Sequence, residues 1–243
     1  MSILTVDNHK SLSELGATLD DEWKRVFETS AFIKTIEQGK VTNSLYAMYL
    51  IETYHYTRHN AKNQALVGVS MPIADPQYLR FCFQHAAEEA GHELMAYHDL
   101  KCLLDRRELE LPEPLPATEI LIAYLYWVSS QGNSLRRLGY SFWAETCYDY
   151  IGRLLKKVQK ALDLQPAQMT FFVSHAHIDK QHAREVEQML LRCCQSKADW
   201  QAVATVMVTT LRLTAAMMDE VYVEFRKVLA EQSDRYAFLK GAH

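Results

Sequence analysis

The sequence predicts an all-α protein, a single domain over residues 1–243 built from about seven helices. Glycine and proline are scarce, 8 and 6 in 243 residues, too few for the many reversals of a β-sandwich or barrel. Apolar residues recur at a helical period through every long segment, as in amphipathic helices. With 49% hydrophobic and 23% charged residues, the chain can bury a core, and disorder is excluded as its main state.

The first expected helix covers 11–28, where Leu12, Leu15, Leu19, Trp23, Val26 and Phe27 fall near helical spacing. A second over 43–70 stops where Pro72 and Pro76 remove backbone donors, and a third runs over 77–104. The proline-rich link LELPEPLPAT follows, after which Thr118 can cap a fourth helix over 118–130. Gly132 and Asn133 lead into a fifth over 133–163, and LDLQPAQ separates it from a sixth over 167–195 and a last over 198–232. The longest of these, roughly 40 Å at the usual rise per residue, cross a whole domain and bring mid-helix polar residues together in its core. No internal repeat, low-complexity tract or long linker divides the chain.

A net charge of -4 and a pI of about 6.2 leave no basic field for nucleic acid, so the expected partner is a small-molecule substrate. No uninterrupted apolar stretch has membrane-span length, and MSILTVDNHK lacks a cationic segment followed by an apolar core. A cytoplasmic protein without a membrane partner is the expectation. Five scattered cysteines, Cys82, Cys102, Cys147, Cys193 and Cys194, make neither a disulfide framework nor a CxxC zinc pair.

The ten histidines carry more information. In His175-Ala-His-Ile-Asp179-Lys-Gln-His182, steps of four and three put His175, Asp179 and His182 on one helix face. Two imidazoles and a carboxylate suit a transition metal. A solvated polar face is the competing reading, but Phe171, Phe172, Val173 and Ile178 make the surroundings apolar, where an uncompensated carboxylate is costly. In His85-Ala-Ala-Glu88-Glu89-Ala-Gly-His92, the residues three, four and seven before His92 share its face, so Glu89, Glu88 and His85 can each join a site there. Glu89-x-x-His92 is the inward-facing pair of di-iron bundles, and Gly91 with its neighbouring alanines leaves room for a close helix.

Glu52, His55 and His59 form a third stripe among Tyr46, Tyr49, Tyr54 and Tyr56. Either Glu52 is a ligand with the histidines behind it, or the set is a hydrogen-bonded aromatic core. Glu145 lies among Tyr140, Phe142, Trp143 and Tyr148, where burial demands a cation, either a metal or an arginine. Glu52, Glu89, His92, Glu145, His175, Asp179 and His182 together hold four carboxylates, whose charge balances two divalent ions. A zinc hydrolase needs fewer ligands and less acid.

These motifs resemble the haem-oxygenase-like di-iron oxidases, the branch of the haem-oxygenase, TenA thiaminase and PqqC-like superfamily that binds two irons instead of haem. The likeness spans about residues 42–190, through ETYHYTRHN, EEAGHE, LGYSFWAE and His175-x3-Asp179-x2-His182. It implies a haem-oxygenase-like bundle, often dimeric, holding two Fe(II) per chain with O2 as co-substrate. It also implies oxidation of small amine- or carboxylate-bearing substrates such as amino acids or fatty acids, by N-oxygenation, C–C cleavage or nitrile formation. Glu52 and Glu145 would then be catalytic as well as metal ligands. Some members place a ligand glutamate seven residues before the helix-three histidine, where this chain has His85. Both His85 and Glu89 are therefore candidate ligands, Glu89 the preferred one. Two rivals stand beside this reading: a metal-free TenA- or PqqC-like enzyme using Cys147 near Glu145, and a non-catalytic iron-binding protein.

Overall fold

Ten α-helices form among the described residues, because two of the seven expected helices are split and a short one lies between the first and second. The computed structural model describes residues 7–239, apart from the side chains of 174–180. Helix α1 (Asn8–Thr29) starts at Asp7, whose side chain accepts from Lys10 N, and buries Leu15, Leu19, Trp23 and Val26. Its terminal Ser30 caps the next helix, α2 (Ala31–Glu37), which buries Phe32, Ile33 and Ile36. Seven residues are too few to show a helical period, so α2 was not expected from pattern.

The 43–70 segment divides into α3 (Asn43–Thr57) and α4 (Asn60–Ser70). Neither glycine nor proline marks the break. The break is a tightened turn in which His59 N donates to Tyr56 O, just after Thr57, whose Oγ1 bonds back to Thr53 O at 2.7 Å. The 77–104 segment divides into α5 (Pro76–Glu88) and α6 (Glu93–Leu104). Gly91 at φ 96° makes that turn, a conformation inside no right-handed helix. A Cβ there would meet nothing within 4 Å, so Gly91 serves the turn and not, as expected, a close helix neighbour.

Helix α7 (Pro116–Ser130) begins two residues before the expected Thr118 and has no side-chain cap of its own. Carboxylates from other helices supply it instead: Glu52 Oε2 accepts from Leu115 N, and Glu220 Oε2 from Ala117 N. The same device recurs at α2, where Asp219 accepts from Phe32 N, and at α9 (Thr170–Cys193), where Asp99 accepts from Thr170 N and Phe171 N. Each satisfies orphan donors and complements the positive end of a helix dipole.

A 3₁₀ turn, Ser134–Arg137, leads into α8 (Leu138–Ala161), and α10 (Lys197–Leu229) opens with a capping box of Ser196 and Asp199. Helix α10 is long and apolar enough to cross a membrane, yet it packs against α1, α2, α3, α7 and α8, which accounts for its apolar character. It comes close to α8 at Gly139, where a Cβ would lie 2.1 Å from Val203 O.

Candidate metal centre

Helices α5, α8 and α9 bring His85, Glu145 and His182 together beside Glu89 at the start of the Gly91 turn. One ligand atom from each of the four lies within 4.8 Å of the others. His85 Nε2 is 3.3 Å from Glu145 Oε1, and His182 Nδ1 is 3.4 Å from Glu145 Oε2 and 4.0 Å from Glu89 Oε1. His92 Nδ1 stands 3.2 Å from Glu89 Oε1. His182 Nε2 also meets Glu88 Oε2 at 3.1 Å, on a half-exposed side chain. Phe81 stacks on the His85 ring, and the His182 ring meets it edge-on.

The electrostatics follow from burying two carboxylates side by side. Burial works to raise the Glu145 carboxyl, but hydrogen bonds with His182 and His85 prevail and hold it at about 2. Burial also opposes ionisation of Glu89, and its bond with His92 brings it below the ordinary value. Burial pushes His182 down while Glu145 lifts it further, to about 9. His92 is raised by its bond to Glu89. Protonated imidazoles thus neutralise the carboxylates, and a divalent ion would take the place of those protons.

The residues fit such an ion. Metal bonds of about 2 Å to imidazole nitrogen and carboxylate oxygen put ligand atoms roughly 3–4 Å apart, the scale of this cluster. Buried His85 Nδ1 has no partner of its own, so a bond at Nε2 is what would fix that ring. Borderline nitrogen and hard oxygen donors together suit iron.

Of the residues expected from sequence, His85, Glu89, Glu145 and His182 meet in the cluster, and His92 adjoins it through Glu89. His175 and Asp179 lie outside the described residues. Glu52 is placed elsewhere: fully buried, it accepts from Leu115 N at 3.0 Å, Thr118 Oγ1 at 2.5 Å and Tyr236 OH at 3.2 Å. That corrects the expectation of a ligand and catalytic role, because both of its oxygens are spent on the α7 start and Tyr236. His55 Nε2 meets Pro112 O at 2.8 Å, and His59 Nδ1 meets Tyr126 OH at 2.9 Å, so the hydrogen-bonded alternative holds for these two. The spacing argument for the 77–104 segment survives in part. Glu89 still sits one turn after His85, its N–H bonded to His85 O, although the helix ends before His92.

Three of the four, His85, Glu89 and Glu145, lie on the wall of a cavity that also touches Trp23, Phe32, Tyr49, Trp143, Cys147 and Phe172. Arg137, buried and also on that wall, was missed, since the arginine pair of SLRRLGY reads as an exposed basic turn. Asp99 was missed because a single aspartate inside a helical pattern gives no signal.

An all-helical, haem-oxygenase-like bundle with a buried histidine and carboxylate cluster is the class that fold and site define. The model of the iron-containing redox enzyme family matches residues 47–215, and the chain belongs to that family. A solved domain of unknown function with a haem oxygenase-like fold from Shewanella denitrificans is 47% identical, covers 93% of this chain and 97% of its own, and superposes with a TM-score of 0.88. TenA homologues share the fold at lower identity. The one from Pyrococcus furiosus is 16% identical, covering 87% of this chain and 100% of its own at a TM-score of 0.68. That from P. horikoshii is 12% identical, covering 87% and 98% at 0.62. No functionally curated protein matches the chain.

Proposed function

We propose that this chain is a non-haem di-iron oxidase that uses O2 to oxidise a small amine- or carboxylate-bearing substrate. The observation that carries the reading is the buried His85, Glu89, Glu145 and His182 cluster, three of whose members line one largely apolar cavity. Glu89 or His85, with His92, Glu145 and His182, would hold the metal together with His175 and Asp179 of the sequence motif. Bound Fe(II) would supply the electrons that O2 requires. The chain's own residues provide the setting. Trp143, Phe171 and Phe172 wall the site with buried apolar surface and so exclude water. His182 and His92 carry the protons that neutralise Glu145 and Glu89 until metal displaces them.

The test is anaerobic loading with Fe(II), metal analysis, then O2 uptake across panels of amino acids and fatty acids. Two irons per chain and uptake triggered by one substrate class are expected. A chain that binds no iron, or takes up no O2 with any member of either panel, would sink the reading. Cys147 lines the same cavity, which is the observation favouring a metal-free TenA-like enzyme as the second reading. Under the di-iron reading Cys147→Ser leaves O2 uptake intact, whereas a nucleophilic Cys147 makes that variant inactive in a metal-independent assay.

A further inference from the structure

Four oxidisable rings connect the wall of the cavity with the protein surface. Tyr140 lines the cavity together with Glu89 and Glu145; burial is the main cause that raises its hydroxyl, and those two carboxylates add to the rise. Three residues along α8, the Trp143 ring lies 5.4 Å from that of Tyr140. Trp23 of α1 follows at 6.2 Å, and Tyr150, back on α8, stacks on Trp23 at 5.2 Å. Tyr140, Trp143 and Trp23 are buried, whereas Tyr150 is partly exposed and donates its hydroxyl to exposed Asp20 Oδ1 at 2.6 Å.

Such separations are ordinary packing; the residue types distinguish this path. Tyrosine and tryptophan give up an electron far more readily than phenylalanine. Tunnelling falls off exponentially with distance, so adjoining Tyr and Trp rings pass a single electron in short hops. Among the described residues, the other ring contacts that leave the cavity wall run through phenylalanine or histidine, as from Tyr49 and Tyr148 to Phe172 and from His85 to Phe81. The hydrogen bonds suit the passage. Trp23 Nε1 is buried without an acceptor, and Trp143 Nε1 donates at 2.8 Å to Thr210 Oγ1, a hydroxyl too weakly basic to take its proton. An indole that keeps its proton on losing an electron is easily reduced again, so the charge stops at neither tryptophan. At the outer end Asp20 can take the phenolic proton. Burial, then Asp20, hold the Tyr150 hydroxyl above its ordinary value, so the resting residue has that proton to give.

We propose that Tyr150, Trp23, Trp143 and Tyr140 carry single electrons inward from the surface to the iron site, and that a small hydrogen-atom donor at Tyr150 supplies them. The purpose rests on the oxidase reading: reduction of O2 without substrate leaves an oxidising equivalent in the site. Tyr140 gives it an electron, the phenolic proton shifting along the bond to Asn60 Oδ1, and Trp143, Trp23 and Tyr150 refill the hole in turn. Tyr150 loses its electron inward and its proton to Asp20, becoming a neutral tyrosyl radical. An external thiol or enediol then transfers a hydrogen atom to the phenoxyl oxygen, and Asp20 releases its proton to solvent.

Conduction is tested on the metal-free full chain with aminotyrosine, a readily oxidised radical trap, replacing Tyr140. Flash-generated tris(bipyridine)ruthenium(III) is too bulky to enter the cavity and oxidises the surface, so electrons leave position 140 along the same rings. The aminotyrosyl radical should appear there, read by transient absorption and electron paramagnetic resonance. It should form at least tenfold more slowly in Trp23→Phe and in Tyr150→Phe, and at the parent rate in Phe27→Leu, which removes a ring beside Trp23 but off the path. Iron-loaded parent exposed to O2 without substrate should yield a tyrosyl radical that ascorbate removes and that Tyr150→Phe lacks. No radical at position 140, or an undiminished rate in Tyr150→Phe and a folded Trp23→Phe, would overturn the proposal, as would an iron-loaded parent that consumes O2 and gives no tyrosyl radical. A chain that conducts without metal but binds no iron would count against the oxidase reading alone.

Discussion

Gly139→Ala is a substitution whose sign the structure decides. In an ordinary helix, exchanging glycine for alanine stabilises by about 1 kcal/mol. At Gly139 the added Cβ would lie 2.1 Å from Val203 O and 2.8 Å from Met207 N, both backbone atoms of α10, where 3.4 Å is ordinary contact. The two helices must therefore part by 1.3 Å, the difference of 3.4 and 2.1. Overpacking of this kind costs about 1–3 kcal/mol, more where backbone has to move. A net loss of about 2–3 kcal/mol is expected, which in a chain of this size lowers Tm by roughly 5–10 °C. Glu145 lies six residues along α8, so the same displacement should weaken iron binding even in folded protein. Gly16→Ala and Gly152→Ala are the controls: both are in helices with nothing within 4 Å of the added carbon, and each should stabilise by about 0.5–1 kcal/mol. Calorimetric melting of the three variants reads the outcome. A Tm for Gly139→Ala that rises with the controls would refute the reasoning.

Glu52→Gln should leave iron content unchanged, since the amide can accept from Leu115 N and Thr118 while donating to Tyr236 OH; loss of iron would return Glu52 to the ligand set. Burial raises the Glu52 carboxyl above its ordinary value despite those bonds, so the folded state holds its proton more tightly than the unfolded state. Its contribution is then present at low pH and lost as pH rises from about 4.5 through the raised value, and a pH series of melts should show that slope in the parent and not in Glu52→Gln. Asp99→Ala removes three bonds from the start of α9, two to Thr170 and one to Phe171, and should cost about 2–4 kcal/mol and loosen iron, measured by melting and metal analysis. Glu89→Ala should abolish substrate-triggered O2 uptake while His85→Ala only reduces it; the reverse ranking would give His85 the ligand role.

The helical class was legible because period and punctuation are local properties. The breaks at Arg58 and Gly91 were not, for different reasons. The first has no marker residue: its tightened turn is made by backbone groups, His59 N on Tyr56 O, that every residue but proline carries. The second has glycine, but composition does not reveal whether glycine provides a positive φ or a smooth surface; here it is the former. In the site, His85, Glu89, Glu145 and His182 were legible because a helix fixes which neighbours share a face. Glu52 obeyed the same spacing and serves as a remote cap, since a buried carboxylate finds its cation, dipole or donors in three dimensions and not along its own helix.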